Sequence, residues 1–512
     1  MITQHAIRRS VRDAHIVSAM LVALLLQACG SDPDMTRQTG VPGFTIGVGS
    51  NALSMGSGAI ADSWLKITRV NGLTSAITYT VTGAPTGLTA TVTPTVIADS
   101  LTLTIATAAT LTTGNYPLVL VATAPSTNEQ RANIVVTVTA PANTNIRAFK
   151  TVVTGFSSSC AISRTTGGAY CWGLNDRGQL GNGVTSDVNT FPIAVAGSFT
   201  FEDISISDMG HFACGIRSGG AAYCWGNNDA GQLGDGTTTA HSVPTAVAGS
   251  LRFLALTAGT DHVCGLTYQS FIYCWGNNDA GALGDGTQAS HKTPALISSN
   301  FTFKRVSASN EYTCAVTTTG AAYCWGLGNV GQLGNGTITN SLTPAAVLGG
   351  LSFNSIAAGA DDACALTVAN AAYCWGHNTY GEVGDGTTTL RSAPVAVAGA
   401  RTYSSISGGF EHFCAVAADA SAIGYCWGYN VTYALGDGSN TNRSVPTSIF
   451  EALSGPFRFQ YVSIGYSHGC GVTSPTGGNT NEIYCWGVNN RGERGDGTVA
   501  TAAGPFEVQW PQ

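Results

Sequence analysis

The sequence predicts an all-β chain: a seven-bladed β-propeller over residues 147–512, preceded by a smaller β-sandwich over residues 41–140. Three observations lead there. The tripeptide Cys-Trp-Gly occurs seven times, with its Trp at positions 172, 225, 275, 325, 375, 427 and 486. Each copy follows another cysteine, and these upstream cysteines stand 54, 50, 50, 50, 50 and 56 residues apart. A period near 50 belongs to propeller blades rather than to the shorter helical repeats. Finally, each period holds only short β-branched and aromatic runs bounded by Gly, Asn, Asp and Ser, with nothing helical between them.

One period shows the strands in order. Residues 252–297 carry RFLALTAG, then VCGLTY, then FIYCWG, then a glycine-rich run, then PALI. Four such strands, repeated radially, make a propeller. In IYCWG the alternation of side chains puts Tyr273 and Trp275 on one side of the strand and Cys274 and Gly276 on the other. The glycines of the following GALGDG run suit a turn that needs positive φ at several positions. Counted from PALI, the opening RAFKTVVTG (residues 147–155) matches the second strand of a period and the closing PFEVQW (505–510) matches the first. Both chain ends are therefore expected to complete one blade together, a clasp that leaves no free edge.

The WGxNxxGQLGxGT phrase, followed by Pro and Val and then by a GxxHxC strand, resembles the regulator of chromosome condensation repeat, over roughly residues 147–512. The resemblance implies a seven-bladed ring. Copies six and seven depart from it, with Tyr433 in the place of Gly231 and Arg494 in the place of Leu233, so irregular turns are expected there. Eukaryotic members of the family bind chromatin and promote nucleotide exchange on a small GTPase. A bacterial member inhibits a secreted hydrolase through a propeller face.

Charge argues against the chromatin role. Charged residues make up 10% of the chain, against about 25% in an average soluble domain. Lys and Arg number 22 against 29 acidic residues, so no basic surface for nucleic acid is evident and guanine-nucleotide exchange ranks last among the readings. No long segment interrupts a blade. The first residues point to export instead. Arg8, Arg9 and Arg12 precede an apolar run from Ile16 to Leu26, the layout of a signal peptide over 1–28 that is too short to span a membrane. Leu26-Gln27-Ala28-Cys29 resembles a bacterial lipoprotein cleavage box, though Gln27 is an unusual occupant. Cys29 would then carry the lipid on a polar tether over 29–40. Gly30 in the following position implies the outer membrane or the cell surface.

The remaining fourteen cysteines agree with an oxidising compartment. They fall into seven local pairs expected as disulfides: Cys160–Cys171, Cys214–Cys224, Cys264–Cys274, Cys314–Cys324, Cys364–Cys374, Cys414–Cys426 and Cys470–Cys485. None offers four converging thiolates for zinc. Residues 41–140 read as alternating strands AITYTVTG, LTATVTP, SLTLTIAT, YPLVLVAT and ANIVVTVT, an immunoglobulin-like sandwich acting as a spacer, joined by a linker at 141–146.

The sequence carries none of the common catalytic signatures. There is no GxSxG elbow, no HExxH and no phosphate-cradling glycine loop. Asp235, Asp285, Asp385, Asp437 and Asp496 recur in GDG turns; calcium is one use, but Asn182 and Asn335 fill the same place, which favours turn capping. His262, His412 and His468 precede their blade cysteines by two residues and His211 by three; packing and backbone hydrogen bonds are preferred to metal. The seven Trp are read as filler between blades rather than as a sugar-binding ring. No cofactor or metal is expected.

The resulting reading is a non-enzymatic, surface-anchored protein whose propeller face recognises another protein, with a carbohydrate-binding module for cell-wall or surface glycans as the alternative. Strand parity selects the face. Loops before each first cysteine and loops after each CWG share one side of the ring, and their residues differ from copy to copy. One loop set contributes Phe212, His262, Tyr312, Asp362, His412 and His468. The other contributes Asp176, Arg177, Asp229, Asp279, His377, Tyr380, Tyr429 and Arg491, with Asn228 and Asn278 beside them. Exposed aromatic residues and Arg are the types that become interface hot spots.

Overall fold

A computed structural model describes residues 43–48, 52–56, 60–71, 73–94, 100–108, 114–125, 127–139, 148–449, 458–474 and 481–510. The expected signal segment, Cys29, the expected tether and the expected linker at 141–146 lie outside these residues.

The propeller consists of seven four-stranded antiparallel sheets, each built from four consecutive strands. Blade 3 is typical, with strands Phe253–Ala258, His262–Thr267, Ile272–Gly276 and His291–Leu296 lying in chain order from the ring axis outward. Blade 1 runs from Phe149 to Ala194 and blade 7 from Phe459 to Glu507. The first strand of every blade lines a central cavity of about 200 Å³, whose walls include Thr154, Ser205, Thr257, Ser307, Ser407 and Ser463.

The repeated residues hold neighbouring blades together. Each Trp of the CWG phrase is wholly buried, and its indole N–H donates to a backbone carbonyl of the preceding blade. Trp275 reaches Gln232 O at 3.0 Å and Trp375 reaches Gln332 O at 2.9 Å. The accepting turn needs glycine: Gly234 has φ +68°, and a Cβ there would sit 2.5 Å from Trp275 Nε1. The last glycine of the turn then donates to the outer strand of the next blade, as Gly236 N does to Lys292 O at 2.9 Å. Near the axis, hydroxyls bridge the inner strands: Ala258 N donates to Ser205 Oγ at 3.0 Å and Ala308 N to Thr257 Oγ1 at 2.9 Å. All seven expected disulfides are present between facing positions of the second and third strands, with Cα–Cα distances of 4.0–4.1 Å.

The expected clasp is absent. Strand Phe149–Thr154 pairs with Ser158–Ser163 of its own blade, and Ala502–Glu507 pairs with Ile483–Gly487 of its own. The ring closes instead through the kinds of contact found at the other seams. Trp172 Nε1 donates to Glu493 O at 2.8 Å, Thr154 N to Ser463 Oγ at 3.1 Å and Gly497 N to Thr190 O at 3.0 Å. Trp510 adds two contacts of its own, stacked on Phe149 with ring centres 5.3 Å apart and edge-on to Tyr170 at 5.1 Å. The two irregular turns expected at Tyr433 and Arg494 are regular. Tyr433 adopts the glycine-like φ of 63°, and Arg494 N donates to Asn489 Oδ1 at 2.9 Å as Leu233 N does to Asn228.

Before the ring, two four-stranded sheets share one core. The first contains Gly43–Val48, Ile60–Val70, Ser100–Thr107 and Leu88–Pro94; the second contains Ala52–Gly56, Gln130–Thr139, Gly114–Thr123 and Thr78–Thr82. Leu65 and Leu103 from one sheet and Leu120 and Val136 from the other are wholly buried. Three strands, Gly43–Val48, Ala52–Gly56 and Ile60–Val70, go beyond those read from the sequence, and Ala52–Gly56 pairs parallel with Gln130–Thr139.

Candidate functional site

Loop geometry places the two variable loop sets together. The loop after the third strand of one blade touches the loop after the first strand of the next: Gln232 Nε2 donates to Asp261 Oδ1 at 3.1 Å. Hairpins between the cysteine strands lie at the other end of the blades with the blade-to-blade crossings, as Phe303 N donating to Ser270 O at 2.8 Å shows.

A buried frame fixes the face. In blade 3, Asn278 is inaccessible; its Oδ1 accepts from Leu283 N at 2.9 Å, and its Nδ2 donates to Thr287 O and Ala289 O at 3.1 Å each. Asp285 caps the same turn, its Oδ1 accepting from Thr287 N at 2.8 Å and its Oδ2 facing His291 Nε2 at 2.8 Å. Burial raises the Asp285 carboxyl, but hydrogen bonds from Thr287, His291 and Asn278 outweigh it and hold the group below the usual carboxylate range. These aspartates are turn caps, and their oxygens are already engaged. Asn228 and Asn278 belong to this frame and not to the surface.

Six residues expected on the face are not on it. Phe212, His262, Tyr312, Asp362, His412 and His468 are each at most 1% exposed. Each opens the second strand of its blade and directs its side chain into the seam with the next blade. Tyr312 Oη donates to Gly359 O at 3.0 Å. His262 Nε2 lies 2.9 Å from Thr313 Oγ1, and His468 Nε2 lies 2.9 Å from Ser159 Oγ. The histidines thus bond neighbouring hydroxyls rather than the backbone. In blades 5 and 6 the hydroxyl is missing, because Phe413 and Gly469 stand where Thr313 stands in blade 4. Asp362 Oδ1 and both ring nitrogens of His412 accordingly find no protein partner.

The residues one position upstream hold the surface instead: Ser157, His211, Asp261, Glu311, Asp361, Glu411 and Ser467. Glu311 is exposed and the other four charged or ionisable members are partly exposed. The second loop set behaves as expected: Asp176, Arg177, Asp229, Asp279 and Arg491 are exposed, while His377, Tyr380 and Tyr429 are partly so. The copy-to-copy differences now form a pattern. Acidic residues occupy blades 3 to 6 through Asp261, Glu311, Asp361 and Glu411, whereas Arg177 and Arg491 stand on blades 1 and 7. Aromatic rings run from blade 5 to blade 1: Tyr380 meets Tyr429 at 5.1 Å, Phe410 meets Tyr466 at 4.1 Å and Tyr466 meets Phe156 at 5.0 Å.

The acidic groups share a field. Burial, and then the charges of Asp279, Asp261 and Asp361, raises the Glu311 carboxyl. Burial, and then Glu382 and Asp361, raises Glu411, against a lowering pull from His377. His377 itself is raised, chiefly by its 3.0 Å hydrogen bond to Glu382. At the mouth of the central cavity, burial pushes Asp208 up to about 7 even as it accepts from Ser309 Oγ at 2.7 Å. The cavity walls are otherwise apolar and hydroxyl residues.

Comparison with known proteins agrees with this architecture. The RCC1-like domain family matches residues 204–512, and the regulator of chromosome condensation (RCC1) repeat matches residues 166–215 and 149–179. The human E3 ubiquitin-protein ligase HERC2 is 39% identical over 95 residues, which is 18% of this chain and 2% of that ligase. The ultraviolet-B receptor UVR8 of Arabidopsis thaliana is 32% identical over 114 residues, covering 22% of this chain and 26% of the receptor. These alignments span 2% and 26% of the two relatives' own lengths. Among solved structures, human WBSCR16 superposes with a TM-score of 0.60 at 20% identity, covering 67% of this chain and 94% of its own. Yeast RCC1 (Prp20) bound to Kap60 superposes at 0.57 and 21% identity, covering 64% and 81%. Likenesses this distant speak to the fold alone.

Proposed function

This chain belongs to the RCC1-like propeller family, and on that premise we propose that it is a non-enzymatic binding protein whose loop face recognises another protein. One observation carries the reading. A recurring buried frame, with the turn asparagine present in six of the seven blades, supports a face whose exposed positions vary around the ring, so the frame is held while the surface is free to specialise. Tyr380, Tyr429, Phe410 and Tyr466 supply aromatic anchors on that face, the residue type that dominates protein interfaces. The named partners Kap60, Gsp1p and histones belong to the yeast relative and are not carried over.

The reading extends to place. The N-terminal arginines, apolar run and Cys29 support an exported lipoprotein at the outer membrane or cell surface, with the sandwich as an immunoglobulin-like spacer and 141–146 as the linker. Acyl labelling that is lost in Cys29→Ala checks the anchor. The aromatic rings also suit a sugar, so glycan binding stands as the second reading.

The test is capture from culture medium by the intact protein, with a glycan array alongside. Replacing Tyr380, Tyr429 and Tyr466 together with Ala should weaken capture by more than about tenfold with little change in melting temperature. Replacing Tyr268 and Phe271, exposed on the opposite hairpins, should not. The converse result places the partner on the other side of the ring.

A further inference from the structure

We propose that the partner docks a cationic segment, rich in Arg or Lys, on blades 3 to 6 of this face. The inference rests on the protein-binding reading above and specifies its chemistry. Asp261, Glu311, Asp361 and Glu411 occupy the same position in four consecutive blades, so the ring geometry itself spaces them along an arc. Among the described residues none of the four has a Lys or Arg within ion-pair distance. The arginines of the face, Arg177 and Arg491, lie on blades 1 and 7, outside the arc.

The arc overlaps the aromatic rings at blades 5 and 6, and there the floor is unsatisfied as well as acidic. Asp362 is 1% exposed, and its Oδ1 has no hydrogen-bond partner. That oxygen lies against Gly359, at the base of the loop that carries Asp361: a Cβ on Gly359 would fall 2.1 Å from it. Burial, then the charges of Glu382, Asp361 and Glu411, raises the Asp362 carboxyl well above the usual range, a sign of how much negative charge gathers above this floor. The four surface carboxylates call for a guest that brings positive charge and N–H groups. The flanking rings of Tyr429, Phe410 and Tyr466 favour a flat, stacking cation, which is guanidinium in preference to ammonium. Glu311 and Glu411 both feel repulsion from their acidic neighbours; His377 offsets part of it at Glu411, and a bound cation would offset more.

Fluorescent hexaarginine, hexalysine and hexaglutamate, titrated into the intact protein at low and at physiological salt, test this. Hexaarginine should bind tighter than hexalysine, hexaglutamate should not bind, and affinity should fall about tenfold or more between the two salts. Changing the arc with Asp261→Asn, Glu311→Gln, Asp361→Asn and Glu411→Gln should cost at least about tenfold for hexaarginine. Changing Phe410, Tyr429 and Tyr466 to Ala should weaken hexaarginine more than it weakens spermine. Equal binding of hexaglutamate, or an unchanged affinity in the arc variant, overturns the proposal, as does spermine binding that matches hexaarginine in every variant. A partner captured from medium that tolerates the arc variant yet is lost with the tyrosine variant would refute the cationic segment alone. Loss of neither would refute the face.

Discussion

At the scale of single residues, the seam between blades sets what each side chain can do. His412 occupies the place of His262, but the neighbour that should carry its hydroxyl is Gly469, and a Cβ there would lie 2.8 Å from Trp486. A serine cannot be restored at that position, so the imidazole stays without a protein partner. Burial, then the nearby His468, pushes its pKa down to about 3. The folded state therefore refuses a proton that the unfolded chain accepts below its ordinary value of about 6.5. Stability tied to His412 is present above that value and is lost as pH falls from about 6.5 toward 3. His412→Phe, which borrows the residue of blade 2, should stabilise the protein by about 1–2 kcal/mol at neutral pH by removing the orphaned nitrogens. The gain in melting temperature should widen between pH 7 and pH 4; a gain independent of pH would show that the histidine finds a partner or a proton in solution. The same position explains why the candidate face was legible only by half. Second strands such as His262–Thr267 are buried along their whole length, so no alternation of apolar and polar residues marks which end residue turns outward. An error of one residue follows, and it separates His262 in the seam from Asp261 on the surface.

At the scale of strands and loops, what could be read were the features that repeat with their chemistry attached. CWG, the GDG turn and the paired cysteines each demand a particular local structure, and each is found in it. Of the three early sandwich strands that were missed, ALSMG is short and built of small residues, whereas GFTIGV and the LKIT of Ile60–Val70 do carry the apolar–polar alternation by which a strand is recognised and were legible in principle. The cysteine hairpin is also where an element can be tested. In blade 3 the bridge Cys264–Cys274 closes a sequence separation of 10 residues. The chain-entropy account gives about 2.5–3 kcal/mol for such a loop. Replacing both cysteines with Ala should lower the stability measured in urea by about that much and leave the other six bridges intact by peptide mapping. Little or no loss would mean that the packed strands already restrict the unfolded hairpin.

At the scale of the ring, the phase of a repeat is the one quantity that a repeat cannot reveal about itself. A period of 50 residues has no marked beginning, and the outer strand can precede or follow the other three. Closure by a shared blade and closure by an ordinary seam are equally compatible with the sequence, and pairing of Ala502–Glu507 with its own chain neighbour decides for the seam. The seventh seam then has to hold on side chains and single hydrogen bonds, as the other six do. Trp172 is wholly buried there, donates to Glu493 O and shares a core with Cys470, Val472 and Ile483 of blade 7. Trp510 only lies over the same core, half-exposed, against Phe149 and Tyr170. Trp172→Ala leaves both a cavity and an unpaired carbonyl, and should cost about 3–5 kcal/mol. Trp510→Ala removes a cover and a stacked ring, and should cost about 1–2 kcal/mol. Hydrogen exchange would locate the effect: amides of strands Phe149–Thr154 and Phe459–Ile464 should lose protection first in the Trp172 variant, with those of blade 4, on the far side of the ring, losing it last. If the Trp510 variant proved the more damaging of the two, the C-terminal tail rather than the common seam would be what shuts the ring.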